Sequence, residues 1–425
     1  MRKLTVFLLA LAFFSNTAYA KRYIITVEND SRAPINWDAF VTRSGGSVIE
    51  QYDFIDGALL DLTPEQVQQI ASRRAPGMTI EEDAPRNWLY ENNSPFGDIS
   101  GMIGNNASKQ KVSVPAASAP KSTDRKIRTK ATYYQDQINP KGEFPWSITR
   151  MDLKTLWERT QGEDVKVAVI DTGINFEHED LKDNYAGGKN CLVPNAQPLD
   201  DQGHGTHVAG TIAAVYNSKG VVGVAPKARL YSVKVMDSKG IGNPSHIVKG
   251  IDWSIKNGMN ILNMSLGSAL PSEAIHKAIQ RAVANNITVV CASGNEHRAV
   301  GYPAAFSETI AVGAFDPNDD YAPFSNYGPQ IDFTAPGKLI YSTMMNGEYA
   351  FLNGTSMACP HIAGMAALAY SLGYRTPKNI RAALKAAAVP VKNLTTDQQG
   401  SGVPLGSKLL RNMYPQDAEE PARRR

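Results

Sequence analysis

Three short stretches of this 425-residue chain carry side chains that could act together in chemistry: Asp171-Thr172-Gly173, His204-Gly205-Thr206-His207 and Gly354-Thr355-Ser356-Met357-Ala358. A serine hydroxyl is a weak nucleophile. It becomes effective when a histidine takes its proton and a carboxylate holds that histidine in one tautomer and stabilises its charged form. Asp171, His204 and Ser356 supply these three types, so the chemistry open to them is acyl transfer through a covalent serine intermediate. Each residue also has a plainer reading. A serine heading a helical run is a common N-cap, an aspartate after a strand is a common turn former, and two histidines three apart could hold a metal. The glutamate and spacing of a His-Glu-x-x-His zinc motif are absent, however. The Asp-Thr-Gly triplet also serves sites built from paired aspartates, but no second Asp-Thr-Gly or Asp-Ser-Gly occurs.

Such residues need elements that carry them to one place. From about Glu143 to Met413 apolar strand runs alternate with helical patterns, which predicts an α/β domain with a doubly wound parallel sheet covered on both faces. The expected strands are Val165 to Ile170, Leu230 to Val235, Asn260 to Met264, Ile287 to Ala292 and Thr309 to Val312. The expected helices are Gly205 to Val215, Pro244 to Lys256, Pro271 to Asn285, Ser356 to Ser371 and Thr376 to Ala388. Function in such folds gathers at the carboxyl ends of the strands, where Asp171 falls and just beyond which Asn295 lies. Ser356 opens an alanine-rich run, and a helix N-terminus favours the negative charge that acyl transfer develops.

The order acid, base, nucleophile, with Gly-Thr-Ser-Met-Ala-Cys-Pro-His around Ser356, resembles the subtilisin family. No Gly-x-Ser-x-Gly elbow is present, which disfavours an α/β-hydrolase. The resemblance implies a serine endopeptidase with Asp171, His204 and Ser356 as its triad and His207 as a supporting residue. Asn295, in Ala292-Ser293-Gly294-Asn295-Glu296, looks like the side-chain donor of the oxyanion hole, although a plain Gly-Asn turn would read the same way. By the same resemblance Ser265-Leu266-Gly267 and Ala292-Ser293-Gly294 wall the primary specificity pocket, with Gly301 near its floor. Small walls leave room for a large apolar or aromatic side chain on the acyl side of the scissile bond. Ile247 and Pro244 would line a second apolar pocket. The resemblance also implies a structural calcium held by Asp180 and Asn217 side chains and the carbonyls of Val215, Lys219 and Val221, though the family's N-terminal glutamine ligand is not matched. A solvated turn without metal is the alternative.

The rest of the chain fits an exported zymogen. Residues 1–20 pair Arg2 and Lys3 with the apolar run Leu4 to Phe14 and end in Ala18-Tyr19-Ala20, the pattern of a secretory signal peptide. Residues 21–88 read as a small α+β unit. Tyr23 to Val27 and Ala58 to Leu62 have strand composition, Thr63-Pro64 opens a helix, and an acidic final strand reaches Asp83. This unit resembles the family's inhibitory prodomain, which makes it an intramolecular partner. Residues 89–142 lose periodicity and read as a cleavable linker with a basic stretch from Lys121 to Lys130, residues 143–413 as the catalytic domain, and residues 414–425 as a polar tail. Charged residues make up 20% and the formal net charge is +3, which gives no reason to expect a nucleic-acid partner. The expected partners are protein or peptide substrates, met by a monomer with no membrane contact after signal cleavage. Cys191, Cys291 and Cys359 leave at least one free thiol, and three free thiols are expected of a chain this large. His178 reads as a solvated surface residue. A processing or transpeptidating relative with a narrow substrate range, and a catalytically silent protein on the same fold, are the alternative functions.

Overall fold

The computed structural model describes residues 20–28, 35–73, 76–89 and 143–413. Residues 1–19 of the expected signal peptide, nearly all of the linker and the polar tail lie outside these residues. The chain divides into two compact units, Met1–Asp83 and Ala84–Arg425.

The first unit is a four-stranded antiparallel sheet in the order β2-β3-β1-β4, with β1 Lys21–Thr26, β2 Ser47–Tyr52, β3 Gly57–Leu62 and β4 Thr79–Glu82. Helices α1 (Trp37–Ser44) and α2 (Pro64–Ser72) accompany it, and the core comprises Ile25, Trp37, Ala58, Leu60, Leu62, Ile70 and Met78. Helix α2 starts where the sequence predicts. Thr63 Oγ1 accepts the Gln66 N–H, Gln66 Oε1 accepts the Thr63 N–H, and Pro64 at the first helical position has no N–H to leave unpaired.

In the second unit a seven-stranded sheet runs β13-β12-β11-β10-β6-β8-β7, and every neighbouring pair is parallel. Its strands are β6 Lys166–Asp171, β7 Tyr185–Asn190, β8 Arg229–Lys234, β10 Ile261–Met264, β11 Thr288–Ala292, β12 Ile310–Phe315 and β13 Phe333–Pro336. Two short strands outside this sheet, β5 (Arg86–Asn87) and β9 (Ile241–Gly242), pair with each other. The helices that matter to the site are α3 (His204–Ala213), α4 (Pro244–Lys256), α5 (Glu273–Ala284), α6 (Thr355–Ser371) and α7 (Pro377–Ala387). Near-continuous apolar strands such as Val167 to Ile170 are buried, as a parallel sheet covered by helices requires. The chain reverses its direction of travel across the sheet at β6, with β8 on one side and β10 on the other. Ligand crevices in open α/β sheets form at the carboxyl ends of strands beside such a reversal. Asp171 ends β6 and Ser265 follows β10 there.

Helix α6 is buried on all sides from Thr355 to Ala369, which its uniformly apolar, alanine-rich sequence permits. Gly364 allows it to pass close to Val224, where a Cβ would collide with the valine.

Candidate active site

Asp171 is fully buried, and its Oδ1 accepts the His204 Nδ1–H at 2.8 Å and the Thr172 N–H at 2.7 Å. A carboxylate can only accept, so this bond places the proton on Nδ1 and leaves the Nε2 lone pair to act as base. The loop that delivers His204 is organised by Asp200, which sequence reasoning did not single out. Its Oδ1 accepts from Thr172 Oγ1 and from the N–H groups of Gln202 and Gly203, at 2.9–3.0 Å. Its Oδ2 accepts from the N–H and the hydroxyl of Thr206. Thr172 Oγ1 in turn accepts the Gly205 N–H at 2.9 Å, tying the end of β6 to the first turn of α3. Gly205 passes so close to the Gly173 carbonyl that a Cβ would collide with it, and Gly173, at φ +118°, has its own Cβ position filled by the Leu199–Asp200 backbone.

Ser356 sits in the first turn of α6, and its Oγ donates to the Ser265 carbonyl at 3.2 Å. His204 Nε2 is buried and has no hydrogen-bond partner among the described residues. Catalytic hydrogen bonds often tighten only with substrate in place. Pro360, inside the helix, lacks the N–H that would bond the Ser356 carbonyl four residues earlier. That carbonyl accepts the Ser265 hydroxyl at 2.8 Å instead, which pins the Ser356 backbone to the end of β10.

Asn295 Oδ1 accepts both the N–H and the hydroxyl of Thr355, at 2.8 and 3.0 Å. With the oxygen so committed, the Nδ2 donor is the part of the amide available to a reacting oxygen beside the N-terminus of α6. One cleft is lined by Leu266, Gly267, Ala292, Ser293, Gly294 and Gly301 together with Asn295 and Ser356. Glu296 and Arg298 also line it, and neither was singled out from the sequence. Ser265 and Ile247 are not among its lining residues. Ser265 is bonded beneath Ser356, and Ile247 is fully buried in α4.

Trp88 and Leu89 lie in the same cleft. Strand β5 pairs antiparallel with β9, Arg86 opposite Gly242 and Asn87 opposite Ile241. The pairing continues as the Trp88 N–H donates to Gly240 O at 3.1 Å, and on the other side the Gly267 N–H donates to Trp88 O at 2.9 Å. The Trp88 indole N–H reaches Gly242 O at 2.8 Å. A stretch of the chain's own backbone is thus held between two edges, the geometry of strand addition to a peptide-binding groove.

The family model for the subtilases matches residues 162–405, more than half of the chain. The chain belongs to the subtilase family. It is 48% identical over 226 residues to Subtilisin Savinase of Lederbergia lenta, covering 53% of this chain and 83% of that protein. The same share of the chain is 48% identical to M-protease of Shouchella clausii and 47% identical to Subtilisin E of Bacillus subtilis, covering 59% and 61% of those proteins. The matched region thus spans about three fifths of the length of the last two relatives.

In this subtilase the loop from Val215 to Val221 closes on Asp180, which is fully buried. Asp180 Oδ1 accepts from Asn217 Nδ2 at 3.0 Å, and Oδ2 accepts from the Val221 N–H at 3.0 Å and the Tyr349 hydroxyl at 2.8 Å. Glu143, missed in the sequence, inserts a second carboxylate into the loop. Its Oε1 accepts the N–H groups of Asn217 and Ser218 at 2.6 and 2.9 Å. Among the described residues no three His, Cys, Asp or Glu side chains gather as a metal cluster. A buried carboxylate bonded only to uncharged donors is nevertheless a group suited to a hard cation such as calcium.

The expectation that His178 is a solvated surface residue is wrong. It is buried, its Nδ1 accepts the Asp180 N–H and its Nε2 donates to Glu348 O, so it props the same region. His207 packs beneath the hairpin of β14 (Ile340–Thr343) and β15 (Tyr349–Leu352), donating from Nε2 to the carbonyls of Ile340 and Ala350. All three cysteines are buried and none forms a disulfide among the described residues. Burial pushes the Cys359 thiol well above its ordinary pKa, and its Sγ–H donates to Asn263 Oδ1.

Proposed function

We propose that this subtilase is an exported serine endopeptidase made as a zymogen, and the buried Asp171–His204 pair with Ser356 at the head of α6 carries the reading. His204 Nε2 takes the Ser356 proton as Oγ attacks the peptide carbonyl. Asp171 stabilises the imidazolium, and His204 then protonates the leaving amine. Asn295 Nδ2 and the Ser356 N–H receive the developing oxyanion. Water repeats the sequence on the acyl-enzyme. The small pocket walls favour a large apolar or aromatic side chain next to the scissile bond. The reading predicts that a fluorophosphonate labels Ser356 and blocks casein hydrolysis, as followed by peptide mapping. Labelling at another residue would remove it.

The segment Arg86–Leu89 is the tail of the inhibitory N-terminal region, held as a substrate would be until cleavage releases it. The pattern at residues 1–20 directs export, and no described helix is long and apolar enough to cross a membrane. The mature enzyme is a monomer in this proposal. Calcium would be held by Asp180, Asn217 and the carbonyls of Val215, Lys219 and Val221, stabilising the loop without taking part in catalysis. Excess chelator is expected to lower the melting temperature by several degrees, since losing a ligand at 100 times its Kd costs about 2.7 kcal/mol. A chelator-independent melting curve would count against the site.

A further inference from the structure

The loop that carries Asn295 has no strand or helix to hold it, since residues 293–298 lie between β11 and an isolated bridge at Ala299. Gly294, at φ +108°, leaves its backbone unusually free to adopt other conformations. Yet an oxyanion donor must keep its place closely, because a displacement of about 1 Å can cost on the order of 100-fold in rate. Something must hold these residues in place of a hydrogen-bond ladder.

We propose that Asn326, with Glu296, is the positioning pair that holds the oxyanion loop, an inference that rests on the peptidase reading above. Asn326 is fully buried, and its amide uses all four of its hydrogen-bonding positions on this one loop. Nδ2 donates to Ser293 O at 3.1 Å and to Glu296 Oε2 at 2.7 Å. Oδ1 accepts the N–H groups of Glu296 and Arg298 at 3.1 and 3.0 Å. The Asn326 backbone N–H adds a bond to Gly294 O at 2.9 Å. Glu296 Oε2 also accepts the N–H of Asn295 itself at 3.1 Å, so the carboxylate links the buried amide directly to the oxyanion donor. A Cβ at Gly294 would collide with Asn326 Nδ2, which shows how closely the amide seats against the loop. On its far side Asn295 is held by Thr355, whose hydroxyl also accepts the Gly294 N–H at 3.1 Å. Neither Asn326 nor the Glu296 carboxylate need touch the reacting atoms. They act through Asn295.

Asn326→Asp tests this, because it keeps the acceptor but replaces both donors and sets a carboxylate against Glu296. Its kcat, counted per site titratable with a fluorophosphonate, should fall by about 10- to 100-fold, below the loss from deleting an oxyanion donor outright. The double variant Asn326→Asp/Glu296→Gln exchanges donor and acceptor across the pair and should recover part of that loss, the rest being the Asn295 N–H bond that an amide NH2 in place of Oε2 cannot accept. A merely structural role would not produce this reciprocal rescue. If Asn326→Asp does not fold, Asn326→Ser removes the amide without adding charge and should lower kcat about tenfold. An active wild type together with kcat within threefold of it in Asn326→Asp, or in Asn326→Ser where the first is unfolded, would overturn the inference and leave the peptidase reading intact. A folded Asn326→Asp that lost activity but was not rescued by Glu296→Gln would overturn the pairing as well. A wild type that neither hydrolyses peptides nor takes the label would instead remove the reading itself.

Discussion

Ser356→Ala is expected to lower kcat for peptide hydrolysis by about 10⁶-fold and to leave the N-terminal region covalently attached. The magnitude is that of subtilisin itself, where removing the nucleophile costs about as much as removing the whole triad. The geometry here supports carrying it over. In the proposed reading the Ser356 hydroxyl is the reacting group at the head of α6, and its backbone carbonyl is already pinned by Ser265, so alanine removes that group without disturbing its frame. His204 and Asp171 would then have no proton to transfer. The oxyanion donors would remain and account for the residual rate over water. Two measurements check the two halves: initial rates with a chromogenic peptide, and the intact mass of the purified chain. A mutant that is inert yet normally trimmed would mean that a different protease matures the protein.

How much of this site could be read from the sequence depended on whether a residue's role is local. Asp171 was legible because an apolar run of strand character leads straight into it, and Ser356 because a glycine precedes it and an apolar helix follows. The central strands were legible for the same reason, each being a short buried run. Edge elements were harder. Tyr185–Asn190 contains two adjacent glycines and a lysine, is only partly buried along most of its length, and has no alternation to betray a strand. Phe333–Pro336 ends in a proline and sits at the other edge, where one side needs no ladder bond.

The residues that escaped altogether are those whose meaning is tertiary. Asp200 looks like one of two loop aspartates until it is seen accepting five hydrogen bonds around the His204 turn. Asn326 lies thirty-one positions after Asn295 in a stretch that reads as a turn, and only the fold brings its amide under the Asn295 loop. Glu143 stands at the edge of a linker, and His178 in a polar run. Polar side chains buried to hold loops leave no periodic trace, because their partners are backbone groups far along the chain.

Such buried polar groups also set the enzyme's tolerance of acid. Burial lowers the pKa of His207 from 6.5 to about 3 and that of His361 to about 4, and nearby histidine charge pushes His207 the same way. The hydrogen bonds agree with neutral rings. His207 donates from Nε2 to Ile340 and Ala350 while its buried Nδ1 has no partner among the described residues, and His361 donates from Nδ1 to Met357 O while its Nε2 likewise has none among them. A proton added to either would place an unpaired N–H and a charge inside the core. The unfolded chain binds these protons near pH 6.5 and the folded one does not. The stability they confer is therefore complete above pH 6.5 and is lost as pH falls towards the folded values. At pH 4, about 2.5 pH units lower, the loss is roughly 3 kcal/mol per histidine, against a typical total of about 5–15 kcal/mol. Denaturant unfolding of the Ser356→Ala protein, which cannot digest itself, should show stability falling steeply from pH 6.5. Much of that fall should come above pH 5, before ordinary carboxylates are protonated. His361→Gln in the same background should flatten the slope even if it lowers stability at neutral pH. Parallel pH profiles for the two proteins would show that the acid limit lies elsewhere in the fold.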